Sequence, residues 1–150
     1  MSVVSRKKII YQRQSSVMQD ILPRWIKVNK SYSDFSTSAL TNSIDIYSLP
    51  AKSVIQNCII KHSTEFNGGI IATYTISVGI IGSLSKYTLA FNVFQPVTNI
   101  AIGLGVNLAP VMENYGAVTS IKATAISTVG LLNAATQGSV DIYLLISTLP

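Results

Sequence analysis

Residues 64–80, TEFNGGIIATYTISVGI, decide the fold of this chain. Glycines beside an apolar run fit either a phosphate-binding loop that opens a helix or a turn that opens a β-strand. From Ile70 to Ile80 every second residue is apolar, and those between are mostly Thr, Ser and Gly. This period of two predicts a strand where a phosphate loop would need a helix. Asn67-Gly68-Gly69 is therefore predicted to be a tight hairpin turn, covered by Phe66, between strands that end near His62 and begin at Ile70.

Alternation or short apolar runs recur along the rest of the chain at intervals of roughly 10–15 residues, and no helical pattern interrupts them after residue 44. Eight strands result, which predicts an all-β, antiparallel β-sandwich of the jelly-roll type with two four-stranded sheets. The side chains expected to face the core include Tyr74, Tyr87, Leu89, Phe91, Val93, Val140, Ile142, Leu144 and Ile146, with Thr88 facing outward. The predicted strands are 24–30 (the weakest), 44–48, 54–61, 70–80, 86–94, 99–107, 117–128 and 139–147.

The composition indicates a single domain whose surface is partly covered by other protein molecules. The chain has 150 residues, of which 48% are hydrophobic and 11% are charged. A surface this poor in charge is expected to be covered in part by copies of the chain or by another protein. No apolar run is long enough for a transmembrane helix, and no signal-peptide core is present. The protein is therefore expected in a cytoplasm, or in a particle assembled there.

The positive charge is concentrated at the N-terminus. Residues 1–30 hold seven cations against Asp20, whereas residues 31–150 hold four cations and five acidic residues. Residues 1–22 fit one amphipathic helix or an arm that orders on docking, and Pro23 ends any helix there. We therefore divide the chain into a basic anchoring segment, 1–30, and a sandwich domain, 31–150. Docking on an acidic protein surface is favoured over nucleic-acid contact or a solvated tail. The predicted docking residues are Arg6, Lys7, Lys8, Arg13, Arg24, Lys27 and Lys30.

No pattern of catalytic or metal-binding residues stands out. The single cysteine, Cys58, lies in an apolar run and is expected to be a buried thiol, and the single histidine, His62, is expected at a strand end or the surface. The acidic residues are scattered, and Asp45 with Asp141 is the only pair on strands that would be able to meet; each is expected to face solvent. We accordingly predict no enzyme activity, no cofactor and no metal.

Tyrosines offer the remaining candidate surface. Six of them, Tyr143 among these, would be able to supply aromatic platforms for a sugar. Alternation places Tyr74 and Tyr87 in the core, whereas Tyr47 and Tyr115 are expected to be exposed. Tyr47 and Tyr115 are therefore candidate oligomer or receptor contacts. A carbohydrate-binding module remains an alternative to a structural protein.

Four segments carry a resemblance to a known group of proteins. LPAKSVIQNCIIKHSTEFNGG (49–69), TISVGI (75–80), KYTLAFNV (86–93) and NAATQGSVDIYLLIS (133–147) resemble small virion proteins of tailed bacteriophages, over residues 44–148 in all. The resemblance implies a jelly-roll domain of the head-fibre or capsid-decoration type, commonly a homotrimer, without catalysis. It also implies residence in the virion and contact with other virion proteins such as the major capsid protein. A neck or tail structural protein is the alternative within the same particle.

Overall fold

A computed structural model describes residues 22–94, 102–104 and 116–149, the middle range by its backbone alone. These residues form eight β-strands and two short 3₁₀ helices, at Tyr32–Phe35 and Leu132–Ala134. The predicted helix or arm of residues 1–22 lies almost entirely outside the described part. The strands are β1 Arg24–Ser31, β2 Thr41–Leu49, β3 Ser53–Asn67, β4 Thr73–Ile80, β5 Ser83–Asn92, β6 Ile102–Leu104, β7 Thr119–Thr128 and β8 Gln137–Thr148.

The strands pair as a nested series. β1 pairs with β8, β2 with β7, β3 with β6 and β4 with β5, and every pair is antiparallel. Two further pairings, β3 with β8 and β4 with β7, join this series into two four-stranded sheets. The first sheet has the order β1-β8-β3-β6 and the second has the order β2-β7-β4-β5. This is the arrangement of a jelly roll, and it confirms the predicted antiparallel sandwich.

The core lies between the two sheets and follows the alternation of the strands. On β8, the residues Val140, Ile142, Leu144 and Ile146 are buried, as predicted. The second sheet meets them with Tyr74, Ile76, Val78, Ile121, Ala123 and Ala125, which are all buried. Cys58 is also buried, as expected, and burial raises the pKa of its thiol to about 12. Each buried Ile or Leu contributes about 1.5–3 kcal/mol relative to an exposed one, so this double layer supplies most of the stability of the fold.

The predicted hairpin at Asn67-Gly68-Gly69 is wrong. β3 and β4 belong to different sheets, so residues 68–72 carry the chain from one sheet to the other. The two glycines do have positive φ, 147° and 52°. A Cβ at Gly68 would collide with the carbonyl oxygen of Ala134 and the amide of Thr136, so the turn packs on a distant loop instead of folding β4 back on β3. Turn chemistry was readable from the sequence, whereas the partner of the following strand was not.

Two alternation patterns also shift by one residue. β4 begins at Thr73, so Ile70 is 71% exposed while Ile71 is buried. In β5 the register with β4 jumps from Ile76↔Phe91 to Val78↔Thr88, which leaves an extra residue on β5. This β-bulge turns Leu89 outward, 62% exposed, and buries Thr88, whose Oγ1 accepts a hydrogen bond from the Val78 amide at 2.9 Å.

His62 occupies the interior, not a strand end or the surface, which corrects the expectation from the sequence. β3 continues to Asn67, and His62 is only 1% exposed. Neither ring nitrogen has a well-formed hydrogen bond among the described residues. Burial lowers the pKa of His62 below its ordinary value of 6.5 and outweighs the opposite effects of the Thr64 backbone and the Glu65 charge. A neutral imidazole is therefore the form that fits this core.

Replacing Gly138 with Ala is expected to lower the free energy of unfolding by about 3 kcal/mol. Gly138 has a φ of 142°, and a Cβ there would lie against the ring of buried Phe66, which packs on Tyr74 at a centroid distance of 4.7 Å. Gly82 is the matched control because its φ is also positive, 83°, but nothing lies within 4 Å of its Cβ position. Gly82→Ala should cost about 1–2 kcal/mol in the same urea titration. Equal losses in both variants would contradict the proposed clash with Phe66.

Acidification is expected to destabilise the fold through His62. Because the pKa is lower in the folded chain than in the unfolded one, the unfolded chain binds more protons as the pH falls. Protonation linked to His62 therefore lowers the free energy of unfolding progressively below roughly pH 6.5 and has no such effect above it. Urea unfolding across this range should show a steeper loss for the wild type than for His62→Phe. NMR titration of the single histidine provides the check: an imidazole pKa at or above 6.5 in the folded state would contradict this account.

Candidate docking surface

The outer face of the first sheet carries three rows of side chains across β1, β8 and β3. Because the core side chains of β8 point inward, its alternate residues Asp141, Tyr143 and Leu145 face outward. The registers of β1 and β3 with β8 then align their outward residues with these three. The rows are Trp25–Leu145–Asn57, Lys27–Tyr143–Ile59 and Asn29–Asp141–Lys61.

A shallow depression of about 440 Å³ lies on this face and is lined by Trp25, Ile59, Lys61 and Tyr143. We call these four residues the aromatic groove. The rings of Trp25 and Tyr143 meet edge to face, with centroids 6.5 Å apart and planes at 83°. Trp25, the only tryptophan of the chain, is 49% exposed. The groove thus combines three apolar side chains with one cation.

Hydrogen bonds and an ion pair fix the charged groups beside the groove. Lys27 Nζ lies 3.1 Å from Asp141 Oδ2 and 5.8 Å from the centre of the Tyr143 ring. Asn29 Nδ2 donates to Asp141 Oδ1 at 2.9 Å, and Ser63 Oγ donates to Asp141 Oδ2 at 3.3 Å. Burial alone would raise the pKa of Asp141, but the hydrogen bonds from Asn29 and Lys27 outweigh it and lower that pKa. The side chain of Asp141 is therefore a carboxylate committed to its own neighbours.

Lys61 differs from Lys27. It borders the groove and makes no ion pair with any described residue. The charge of Lys27 is balanced by Asp141, whereas that of Lys61 is not. The groove therefore presents a net positive charge next to an apolar surface.

The predicted docking cations on β1 do not form one patch. Lys27 lies on the outer face opposite Tyr143. Arg24 and Lys30 lie opposite the core residues Ile146 and Val140, on the inner side of this edge strand. The three cations are spaced three residues apart. Because successive side chains of a strand alternate between faces, Lys27 faces away from the other two. The other predicted docking residues, Arg6, Lys7, Lys8 and Arg13, lie outside the described residues.

Of the two tyrosines predicted to be exposed, only Tyr47 is described. It follows a β-bulge after Asp45 and is half-buried, with its ring packed against the core. Tyr115 lies outside the described residues. Tyr74 and Tyr87 are buried, as predicted. The outward position of Tyr143 was readable from the alternation of β8, but its contact with Trp25 depends on the pairing of the first and last strands and was missed.

The outer face of the second sheet has a different chemistry. Hydroxyl pairs cross it, Ser43 with Thr124 at 2.8 Å and Thr73 with Thr128 at 2.7 Å. The ion pair between Lys122 and Asp45, at 2.6 Å, stands on the same face, and the hydrogen bond from Lys122 lowers the pKa of Asp45. Asp45 and Asp141 thus lie on different sheets, each bonded to its own lysine. They do not form a joint acid–base site.

Within residues 22–94 and 116–149, no group of three or more His, Cys, Asp and Glu side chains is placed to hold a metal ion. The same part of the chain contains no helix with the length and apolar character needed to cross a membrane.

Comparisons with known proteins show the fold. No protein-family model matches the chain, and no curated protein matches it. A chain in the capsid asymmetric unit of cyanophage Pam1 is similar, with a TM-score of 0.61 and 15% identity over 85% of each chain. A chain of the capsid of Ralstonia phage GP4 has a TM-score of 0.50 and 12% identity over 86% of each chain. The equal shares mean that these chains are about as long as this one. At such identities the likeness establishes a shared β-sandwich fold that extends over most of the molecule.

Proposed function

We propose that this chain is a non-enzymatic structural component of a bacteriophage virion, of the capsid-decoration or head-fibre type. Its basic N-terminal segment docks on the shell, and its sandwich domain oligomerises and is displayed. The observation that carries the proposal is the nested strand order β1·β8, β2·β7, β3·β6, β4·β5 in a short chain. Capsid chains of two phages, of similar length, share this fold over most of their residues.

The charge of the N-terminal segment supports docking through this end of the chain. Residues 1–22 carry Arg6, Lys7, Lys8 and Arg13 against Asp20 alone, and this segment leads directly into β1 at the edge of the first sheet. A basic segment attracts an acidic surface at long range and loses that attraction as salt rises. The partner expected for this segment is another virion protein, such as the major capsid protein.

The exposed apolar residues at one end of the sandwich support contact between copies. A Cβ on Gly130 would lie 2.8 Å from the amide of Ile71, so the loop of Val129 and Leu131 packs directly on the loop of Ile70. All three apolar side chains are exposed, Val129 to 70%. Val129 also has a φ of 69°, and the Gly130 amide donates to the Thr128 carbonyl across it at 2.8 Å, as in a classic γ-turn. The clustering of three exposed apolar side chains, one of them on a valine in an unfavourable conformation, supports a contact with a second copy here.

Removing the N-terminal charges is the test of docking. Full-length protein with Arg6, Lys7, Lys8 and Arg13 all replaced by Gln is expected to be absent from virions purified on a density gradient, whereas the wild type co-purifies and is released by salt. Lys122→Gln, on the outer face of the second sheet, is the control and should co-purify. Retention of the quadruple variant would contradict docking through this segment. Absence of the wild type from purified virions would overturn the proposed function itself.

Val129→Gly separates oligomerisation from folding. Glycine accepts a φ of 69° without steric cost and removes the exposed side chain, so the variant should unfold at an equal or higher urea concentration. We expect its self-association, measured by light scattering over a concentration series, to weaken at the same time. Val118→Gly removes another exposed valine away from this loop and should leave association unchanged. A wild-type chain that stays monomeric, or a Val129→Gly variant that associates normally, would contradict this interface.

A further inference from the structure

We propose that the aromatic groove of Trp25, Ile59, Lys61 and Tyr143 binds an acidic segment of a different protein, through an apolar side chain that stands next to a carboxylate. The inference rests on the proposed function in one respect, because it takes the different protein to be another component of the virion. The groove would then supply the specific contact, whereas the N-terminal segment supplies long-range attraction.

The apolar part of the groove has the features of an anchor site. Trp25 and Tyr143 make an edge-to-face contact, and Ile59 adds an aliphatic wall. A volume of about 440 Å³ lies within the usual range for ligand pockets, roughly 300–1,000 Å³. Exposed tryptophan and tyrosine side chains are enriched at the centres of protein interfaces because they bury a large area at a small entropic cost. The groove therefore accommodates an apolar side chain of a partner.

The charge beside it selects a carboxylate. Lys61 lines the groove and forms no ion pair within the described part of the chain. Lys27 lies over the Tyr143 ring and is paired with Asp141, so Lys61 carries the uncompensated positive charge beside the rings. An acidic group that enters next to the rings would meet Lys61 at the edge of an apolar surface, where charge pairs are screened less than in open water.

The described residues of a second copy offer no carboxylate that lacks a hydrogen-bond partner. Each of their four acidic side chains is already bonded within the chain. Asp34 accepts from Ser31, Asp45 from Lys122, Glu65 from Asn67 and Asp141 from Asn29. The chain's own residues 1–22 are excluded by charge, since they carry four cations and one acid. Charge complementarity therefore points to a different, acidic protein.

The shape of the groove favours a peptide over a sugar. A sugar ring stacks on a flat aromatic face beside polar groups that are free to bond its hydroxyls. Here the planes of Trp25 and Tyr143 are at 83°, so they do not form one flat platform. In the neighbouring row, Asp141 and Asn29 are hydrogen-bonded to each other. An apolar side chain of a peptide would instead pack between the edges of the two rings and Ile59.

The single tryptophan makes the groove directly observable. The probe is the synthetic peptide Gly-Glu-Leu-Phe-Glu-Gly, blocked at both ends and titrated into the full-length protein while Trp25 emission is recorded. We expect a saturable change in emission. Lys61→Gln should weaken the affinity about threefold to fivefold and reduce its salt dependence. Lys122→Gln, which removes a lysine from the other outer face, should leave the affinity unchanged.

Two further probes decide the chemistry. The peptide with Lys in place of both Glu residues tests the charge, and a digalacturonate tests an acidic sugar without an apolar anchor. The proposal requires that the acidic peptide bind at least about tenfold more tightly than either. It is overturned by equal binding of the lysine peptide, by tighter binding of the sugar, by equal effects of the two lysine substitutions, or by an unchanged emission up to millimolar peptide.

The outcome is separable from that of the proposed function. If the groove binds the acidic peptide while the protein is absent from virions, the site stands and its partner lies elsewhere. If the protein co-purifies with virions but the peptide does not bind, the virion role stands and the groove is not the specific contact.

Discussion

The pairing of β1 with β8 is the contact on which the rest of the structure depends. It joins the two ends of the described chain, since Asn29 and Asp141 are 112 positions apart, and it places β8 between β1 and β3 in the first sheet. The entropic cost of closing such a long loop grows only with the logarithm of its length. Burial of Val140, Ile142, Leu144 and Ile146 offsets this cost along the whole strand. Every inner pair of the nested series then lies within this outermost pair.

The same pairing assembles the candidate site. Trp25 comes from β1, Tyr143 from β8, and Ile59 with Lys61 from β3. The hydrogen bonds and ion pair of Asp141 hold these three strands together on the outer face, while the apolar row holds them on the inner face. The groove therefore exists only when β1, β8 and β3 are paired, because no single strand contains all of its residues. This explains why the two outer faces differ: the hydroxyl pairs of the second sheet come from other strands.

The sandwich, its two four-stranded sheets and most of its inward positions were predictable because a period of two is a local property. Tyr74, Ile76 and Val78 on β4, and the four inward residues of β8, followed the pattern. The pattern failed where pairing introduced a bulge, as at Thr88 and Leu89, because an extra residue on one strand reverses the faces that follow. It failed for His62 because β3 runs past the predicted end, to Asn67, as a partner of β8.

Some individual residues of the candidate site were predictable from the sequence, but their arrangement was not. By itself, the sequence determined an all-β chain with a basic N-terminus, a buried thiol at Cys58 and an outward Tyr143, since composition and alternation need no knowledge of distant residues. Tertiary structure alone decided that the Gly68-Gly69 turn crosses between sheets, that Lys27 faces away from Arg24 and Lys30, and that Trp25 meets Tyr143. The physical reason is that strand partners are chosen by contacts between residues far apart in the chain, whose register no local pattern specifies.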